Sequence, residues 1–377
     1  MTGPNAGLPA VYGHAELLDR IRASVSNRRL PQSLLLHGAE GVGKRTVALW
    51  TAAVLHCEGD PAPCGDCRSC RMAARLEHPD IHYYFPMPRP KGAGSRKKLR
   101  ETIEGQRQDR LALLRDDPGA RLDDGEVTGI YLAAVENIRR QASRRPAMGR
   151  IAVFIVAEAD RMVPQSASPE AANAFLKLLE EPPDFAYIIL TTSRPFALLP
   201  TIQSRTANLR VAPLAEAEVE RFLIDARGVA KDEARSGARR AEGSIGRALA
   251  LADREDNVPG ATADRLLAAA LRGEPGARYA AASQFTAQGA RSILAPALEE
   301  LEERLRDVLC YTSGATELVH DAGKSARIVE RWPLSESAVL AALATVEAAR
   351  EHAHRNLNPQ ATVSVLLADM SAALGGH

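Results

Sequence analysis

The sequence predicts an α/β phosphate-loop domain followed by helical domains. Three observations carry that expectation. A glycine- and lysine-bearing loop, Gly38-Ala39-Glu40-Gly41-Val42-Gly43-Lys44, directly follows the apolar run Ser33-Leu34-Leu35-Leu36. Short β-rich runs alternate with helical patterns up to about residue 211. After Pro213 the β signal ends and helical periodicity takes over.

The candidate strands cover residues 33–37, 81–85, 151–156, 187–192 and 207–211. Such alternation implies parallel strands with crossover helices on both faces, an α/β sandwich that places the loop at the carboxyl end of its first strand. Ser168-Pro169-Glu170 reads as the capped start of a helix that runs through Ala174-Phe175-Leu176-Lys177-Leu178-Leu179-Glu180-Glu181 and stops at Pro182-Pro183. Residues 214–251 form a small helical unit containing Gly243-Ser244-Ile245-Gly246-Arg247. Past a polar stretch near 256–261, Ile293, Leu294, Ala297, Leu298, Leu301, Leu305 and Val308 keep the three-and-four spacing of an amphipathic helix, with Pro296 in its first turn or bending it. Three domains are expected: 1–212 (α/β, with a cysteine module and a basic insertion at 86–121), 213–258 (helical lid) and 259–377 (helical bundle). Residues 86–100 carry six basic residues and no acid, and read as a mobile insertion rather than a core element.

At 377 residues and 45% hydrophobic, the chain can bury two or three cores. A net charge of +1 excludes a global field toward nucleic acid, so any such contact needs a local patch. Aromatic content of 4% makes the core aliphatic. No run approaches the ~18 apolar residues of a membrane span, and the first residues lack a basic-then-apolar leader, so a cytoplasmic location is expected.

Gly38, Gly41, Gly43 and Lys44 can cradle phosphate, because the cradle consists mainly of backbone N–H groups at a helix N-terminus. The next residue is Arg45, where a magnesium-holding loop has Ser or Thr. Thr46 comes one position too late, since one residue turns a helix by about 100°. The run 151–156 ends in Ala157-Glu158-Ala159-Asp160, without the expected Asp-Glu pair. Both protein ligands for Mg2+ are therefore absent from their places. ATP or ADP on this loop is left open, whereas Mg2+ and hydrolysis are not expected.

Cys57, Cys64, Cys67 and Cys70 form C-x6-C-x2-C-x2-C within fourteen residues. That spacing lets one turn of backbone present two thiolates to a tetrahedral ion, and four thiolates leave no position for a catalytic water, so structural Zn2+ is expected. His78 or His82 could replace one sulfur. Cys310, in an apolar helical stretch, reads as a buried small hydrophobe.

Arg205, in Ser204-Arg205-Thr206 ahead of the last α/β strand, is either a surface arginine in a turn or a charge displayed to the phosphates of an adjacent subunit. Arg247 is likewise either a nucleotide sensor or a surface charge.

The loop Gly38 to Thr46, the four cysteines, Val135-Glu136-Asn137-Ile138-Arg139-Arg140 before Arg144-Arg145-Pro146, Ala157 to Met162, Asn173 to Pro183, and Thr191-Thr192-Ser193 before Ser204-Arg205-Thr206 together resemble the delta-prime family of bacterial DNA polymerase III clamp-loader subunits. Asn356-Leu357-Asn358-Pro359 before a final helix is similar to the family's ending. The resemblance implies an AAA+ P-loop domain, a helical lid and an all-α collar that joins subunits in a ring. It implies partnership with gamma/tau and delta subunits, with the sliding clamp and primed DNA reached through the assembly. It also implies that Arg205 acts as an arginine finger in trans, while Thr206 departs from the family's cysteine. The competing readings are an ATP-hydrolysing gamma/tau-type motor subunit, which Arg45 and Ala157 oppose, and a zinc-bearing nucleic-acid module, which the near-neutral charge opposes.

Overall fold

The computed structural model describes residues 11–88, 95–116, 128–162, 170–252, 258–286, 290–354 and 357–375. Seven strands occur among them: β1 (Ser33–His37), β2 (Ile81–Tyr84), β3 (Met87–Pro88), β4 (Thr128–Gly129), β5 (Ala152–Val156), β6 (Ala186–Thr192) and β7 (Ala207–Arg210). Five form one parallel sheet in the order β2-β5-β6-β1-β7. Each expected strand is present within about one residue of its expected ends. Leu34, Leu35 and Leu36 on β1, and all of β5 from Ala152 to Val156, are buried, as strands covered on both faces must be.

The chain divides into two compact units, with the division along the sequence near residue 253. The first contains the sheet, its helices and three small helices, Glu216–Arg227, Lys231–Arg240 and Ile245–Ala252. These three pack Val219, Leu223, Ala234, Ala238 and Ala248 into a separate small core. Gly243 enters that lid at φ +80, where a Cβ would stand 2.5 Å from the Leu214 carbonyl oxygen. Only glycine fits so close an approach.

The second unit is all helical, built from Val258–Arg272, Pro275–Ser283, Ala290–Thr312, Ala322–Arg331, Glu336–His354 and Pro359–Ala373. Leu294, Leu298, Leu301, Leu305 and Val308 fill its core, whereas Ile293, assigned to the same face from spacing, is exposed. Pro296 stands in the second turn of its helix rather than the first. Cys310 is half-buried, not a core residue, because it lies off the apolar stripe that Leu305 and Val308 continue. On the same helix, the buried Asp307 carboxylate accepts hydrogen bonds from the backbone N–H groups of His320 and Asp321, at 3.1 and 3.0 Å, and so ties down the following loop. Asn358 caps the last helix, its Oδ1 accepting from Ala361 N at 3.1 Å.

The insertion differs from expectation. Met87–Pro88 pairs antiparallel with Thr128–Gly129, and Arg96–Asp116 is a helix packed on the main core. Arg96, Lys97, Lys98 and Arg115 stand on its exposed face. The other face buries Ile103, Leu111 and Leu114, and between them Arg107 covers the Tyr84 ring at 4.7 Å and donates to the Tyr83 carbonyl at 3.1 Å. A basic first turn, Arg96-Lys97-Lys98-Leu99-Arg100, precedes the apolar positions Ile103, Leu111 and Leu114 within the 86–121 insertion. The expected cap at Ser168-Pro169 lies outside the described residues, and the helix is seen from Glu170.

Ile103→Ala and Leu114→Ala should each cost about 2–4 kcal/mol in urea unfolding, because each vacates a closed site. Leu113→Ala, on a side chain 55% exposed, should stay within about 0.5 kcal/mol. Equal, small effects at all three positions would return the helix to the status of a surface appendage.

Candidate phosphate-loop site and metal centre

The phosphate loop leaves β1 at Gly38 and enters the helix Lys44–His56. Gly38 N donates to the Thr192 carbonyl at 3.3 Å, and Val211 N donates to the His37 carbonyl at 2.8 Å. A Cβ on Gly38 would lie 2.1 Å from the Val211 carbonyl oxygen, so this exit admits no side chain. Gly41 and Gly43 hold φ +72 and +99, and Gly43 opens the helix. The sequence therefore placed its glycines where the backbone requires them.

Lys44 is buried, and its Nζ donates to the loop's own carbonyls at Gly38 (2.9 Å) and Ala39 (2.5 Å) and to Ser193 Oγ (3.0 Å). Burial pulls its pKa down to about 8, against the opposing pull of Glu40, Glu158 and Asp160. The lid closes on the same loop. Ser244 Oγ donates to the Glu40 carbonyl at 2.9 Å and Gly246 N to the Gly41 carbonyl at 3.0 Å. A Cβ on Gly246 would meet Gly41 Cα at 2.8 Å. Lid and loop touch backbone to backbone.

The charges around the magnesium position are arranged for other work. Burial pushes the Tyr83 hydroxyl up to about 12, with the Arg45 guanidinium lowering it and Glu158 raising it, so both charges bear on that one ring. Asp160 receives Thr192 Oγ1 at 2.6 Å and Arg194 through two nitrogens at 2.7 and 3.1 Å. Its oxygens thus lock the end of β6. Half-buried Thr46 lies one position further along the helix. Arg247, whose backbone N–H donates to Ser244 Oγ at 3.1 Å, sends its guanidinium to Glu242 at 3.0 Å. The expected nucleotide-binding set therefore resolves into Gly38, Gly41, Gly43 and Lys44 on one loop, with Thr46 and Arg247 beside it. Ser193, Ser244 and Glu180 were not singled out from sequence. Each sits inside a motif already noted, but only the folded chain shows what it touches.

Arg205 is exposed at the end of the short helix Pro200–Gln203. Its guanidinium donates to the Thr201 carbonyl at 3.0 Å and pairs with Glu180 at 3.0 Å. An ion pair this exposed contributes little, ~0–1 kcal/mol, and releases readily. Thr206 turns inward, giving its hydroxyl to the Ile202 carbonyl at 3.1 Å.

The four cysteine sulfurs all lie within 4.8 Å of one another. Backbone N–H groups point at them: Gly59 and Cys64 at Cys57 Sγ (3.3 and 3.2 Å), Cys67 at Cys64 Sγ (3.3 Å) and Cys70 at Cys67 Sγ (3.4 Å). Burial pushes the Cys70 thiol well up, while backbone donation from Cys67 draws Cys64 down to about 7. Four converging sulfurs with N–H donors aimed at them suit thiolates on a metal such as zinc. His78 is buried against His56, ring centroids 4.2 Å apart, and its Nδ1 accepts from Asp80 N, while His82 stacks on Phe154 at 4.8 Å. Neither histidine joins the sulfur group, so the cysteines are the whole ligand set among the described residues.

A parallel sheet in the order β2-β5-β6-β1-β7, a phosphate loop behind β1 and a helical lid seated on that loop define a P-loop subunit of the AAA+ type. Residues 13–215, 203 of the 377, match the family described as "DNA polymerase III, delta subunit", and the chain belongs to that family. It is 28% identical over 203 residues to DNA polymerase III subunit delta' of Bacillus subtilis (strain 168), covering 54% of this chain and 48% of that protein. It is 30% identical over 173 residues to subunit delta' of Pseudomonas aeruginosa, covering 45% and 40%. It is 26% identical over 215 residues to subunit tau/gamma of Haemophilus influenzae, covering 56% and 25%. The chain thus aligns with about half or less of the length of these relatives. It is a subunit of the clamp-loader family, and its finer role rests on the site.

Metal analysis of protein purified without chelator should find one zinc per chain. Cys67→Ser should lose the metal and unfold at least the module, since a structural zinc can supply on the order of 10 kcal/mol. A metal-free preparation with an intact fold would refute the site.

Proposed function

We propose that this chain is a delta-prime-type clamp-loader subunit that does not hydrolyse ATP and lends Arg205 in trans to a neighbouring ATP-hydrolysing subunit. The observation that carries this reading is the contrast between two sites. The chain's own loop has Arg45 and Ala157 where magnesium ligands belong, and its lysine is engaged by its own carbonyls. Its exposed Arg205 is held by the Thr201 carbonyl, the Ser204 hydroxyl and a solvent-facing carboxylate, all at the surface.

In this role the guanidinium would meet the γ-phosphate held by the adjacent gamma/tau subunit and stabilise charge developing in the transition state. Structural zinc would support the module that follows the C-terminal end of the helix Lys44–His56. The C-terminal helical unit would form the collar that joins this chain to gamma/tau and delta subunits. The sliding clamp and primed DNA would be reached through the assembly, in the cytoplasm. A role as motor subunit is disfavoured, because phosphoryl transfer on a P-loop needs a metal bridging the β- and γ-oxygens.

Arg205→Ala should leave the chain folded and assembled, since it removes an exposed side chain. At the phosphate site it serves, hydrolysis should fall by about 10³-fold or more. The whole complex should lose less, because other interfaces supply their own arginines, and clamp loading should fall with it. Arg205→Lys should rescue little, as an ammonium lacks the planar fork. Unchanged DNA-stimulated ATPase and clamp loading in a normally assembled mutant complex would refute the role.

The isolated chain should show no ATP turnover above background. Turnover that vanishes in Lys44→Ala would show a working site and reverse the assignment.

A further inference from the structure

Arg205 shares its rim with a side chain that does nothing for this chain's own fold. Phe196 is 96% exposed, the most exposed large hydrophobic residue among those described, ahead of Tyr279 at 71%. It is the middle residue of a single 3-10 turn, Pro195–Ala197. An isolated exposed apolar residue is ordinarily unremarkable. This one differs in how firmly it is presented.

Every group around the ring is tied down. Gln203 Nε2 donates to both the Pro195 and the Leu198 carbonyls, at 3.0 and 3.1 Å, and so staples the turn to the helix that ends beside Arg205. Ala197 N donates to the Arg194 carbonyl at 3.0 Å and Leu198 N to the Pro195 carbonyl at 3.1 Å. Arg194 is clamped on buried Asp160. Leu198 and Ile202 plug the turn into the core from below, exposed by 2% and 0%. A large ring held out on a backbone already ordered loses little entropy when a partner covers it, which is the property of an interface anchor. Exposed Ala197 and Pro200 continue the apolar surface from Phe196 toward Arg205.

We propose that Phe196 is the anchor that seats this subunit against the neighbouring ATP-hydrolysing clamp-loader subunit, filling an apolar pocket next to the phosphate site that Arg205 serves. The inference rests on the trans role of Arg205 for the choice of partner. That choice follows from placement. A ring stapled to the same four-residue helix as the finger enters the same partner surface, and the neighbouring Arg205 suits a surface that carries phosphate rather than a second basic rim. Phe196 sets affinity, and Arg205 sets the rate.

The test uses the full chain and the purified ATP-hydrolysing subunit from the same source, with equilibrium binding and ATPase titrated against added chain. Phe196→Ala should weaken binding by about 20-fold or more, as truncation of an interface anchor does, and shift the half-maximal concentration in the ATPase titration equally, with the plateau retained. Phe196→Tyr should stay within about 3-fold of the parent. Thermal unfolding of the isolated variants should match the parent, because the ring touches no core. Arg205→Ala should do the converse, lowering the plateau at an unchanged half-maximal concentration. Unchanged binding by Phe196→Ala overturns the anchor whatever Arg205→Ala does. A normal plateau in Arg205→Ala overturns the finger while leaving the binding result for Phe196 to stand. A Phe196→Ala effect confined to self-association of the isolated chain would assign the ring to a second copy and overturn the proposal.

Discussion

Gly38 leaves β1 through a slot between Thr192 and Val211 that has no room for a side chain, since a Cβ there would sit 2.1 Å from a carbonyl oxygen. That slot exists because β1 runs in register between β6 and β7, pairing Leu36 with Thr191 on one side and Leu209 on the other. The phosphate loop, Ser193, and the turn that carries Phe196 all start from the carboxyl ends of these strands. Arg205 belongs to the same frame, because Thr206 Oγ1 bonds back to the helix Pro200–Gln203 just ahead of β7. Displacing β1 would therefore disturb both the site this chain keeps and the arginine it presents.

Within that frame the loop keeps its cradle backbone but carries other side chains where magnesium ligands are expected. The cradle depends on glycine φ values and N–H directions, and these persist without nucleotide-metal ligands. The ligands depend on single side chains, and at those places stand Arg45 and Ala157. Lys44 illustrates the result. An ammonium buried to this degree needs acceptors, and here the loop carbonyls and Ser193 supply them. Gly41 and Gly246 meet so closely that the lid adds its own hydrogen bond to the loop. That contact accounts for Gly246, whereas Gly243, on the other side of Ser244-Ile245, is required by its approach to the Leu214 carbonyl.

The cysteine module solves a different problem. A stretch as short as 57–70 cannot bury enough apolar surface to hold a shape by itself. Its apolar contacts are few: Cys70, Ala53 and Ala73 form a small cluster apart from the main core. Four sulfurs within 4.8 Å of one another, with backbone N–H groups aimed at them, could hold a metal such as zinc, whose coordination would replace that missing core. The helix Arg96–Asp116 takes the opposite route and joins the main core directly through Ile103, Leu111 and Leu114.

Sequence by itself determined the parallel α/β class, the five strand positions, the phosphate loop and the cysteine ligand set, because each rests on local spacing: period-two and period-3.6 patterns, glycines at turns, cysteines two residues apart. It also showed the missing magnesium ligands, which need only the residue names at fixed offsets from Lys44 and from the end of β5. Tertiary structure alone decided which polar groups meet across the chain. Lys44 finds Ser193, 149 positions away, Ser244 finds Glu40 across 204, and Asp160 is consumed by Thr192 and Arg194. The burial of the basic helix, the exposure of Ile293 and the half-burial of Cys310 were likewise decided in the fold. Periodicity states which residues share a face, but what covers that face depends on elements far away in the chain.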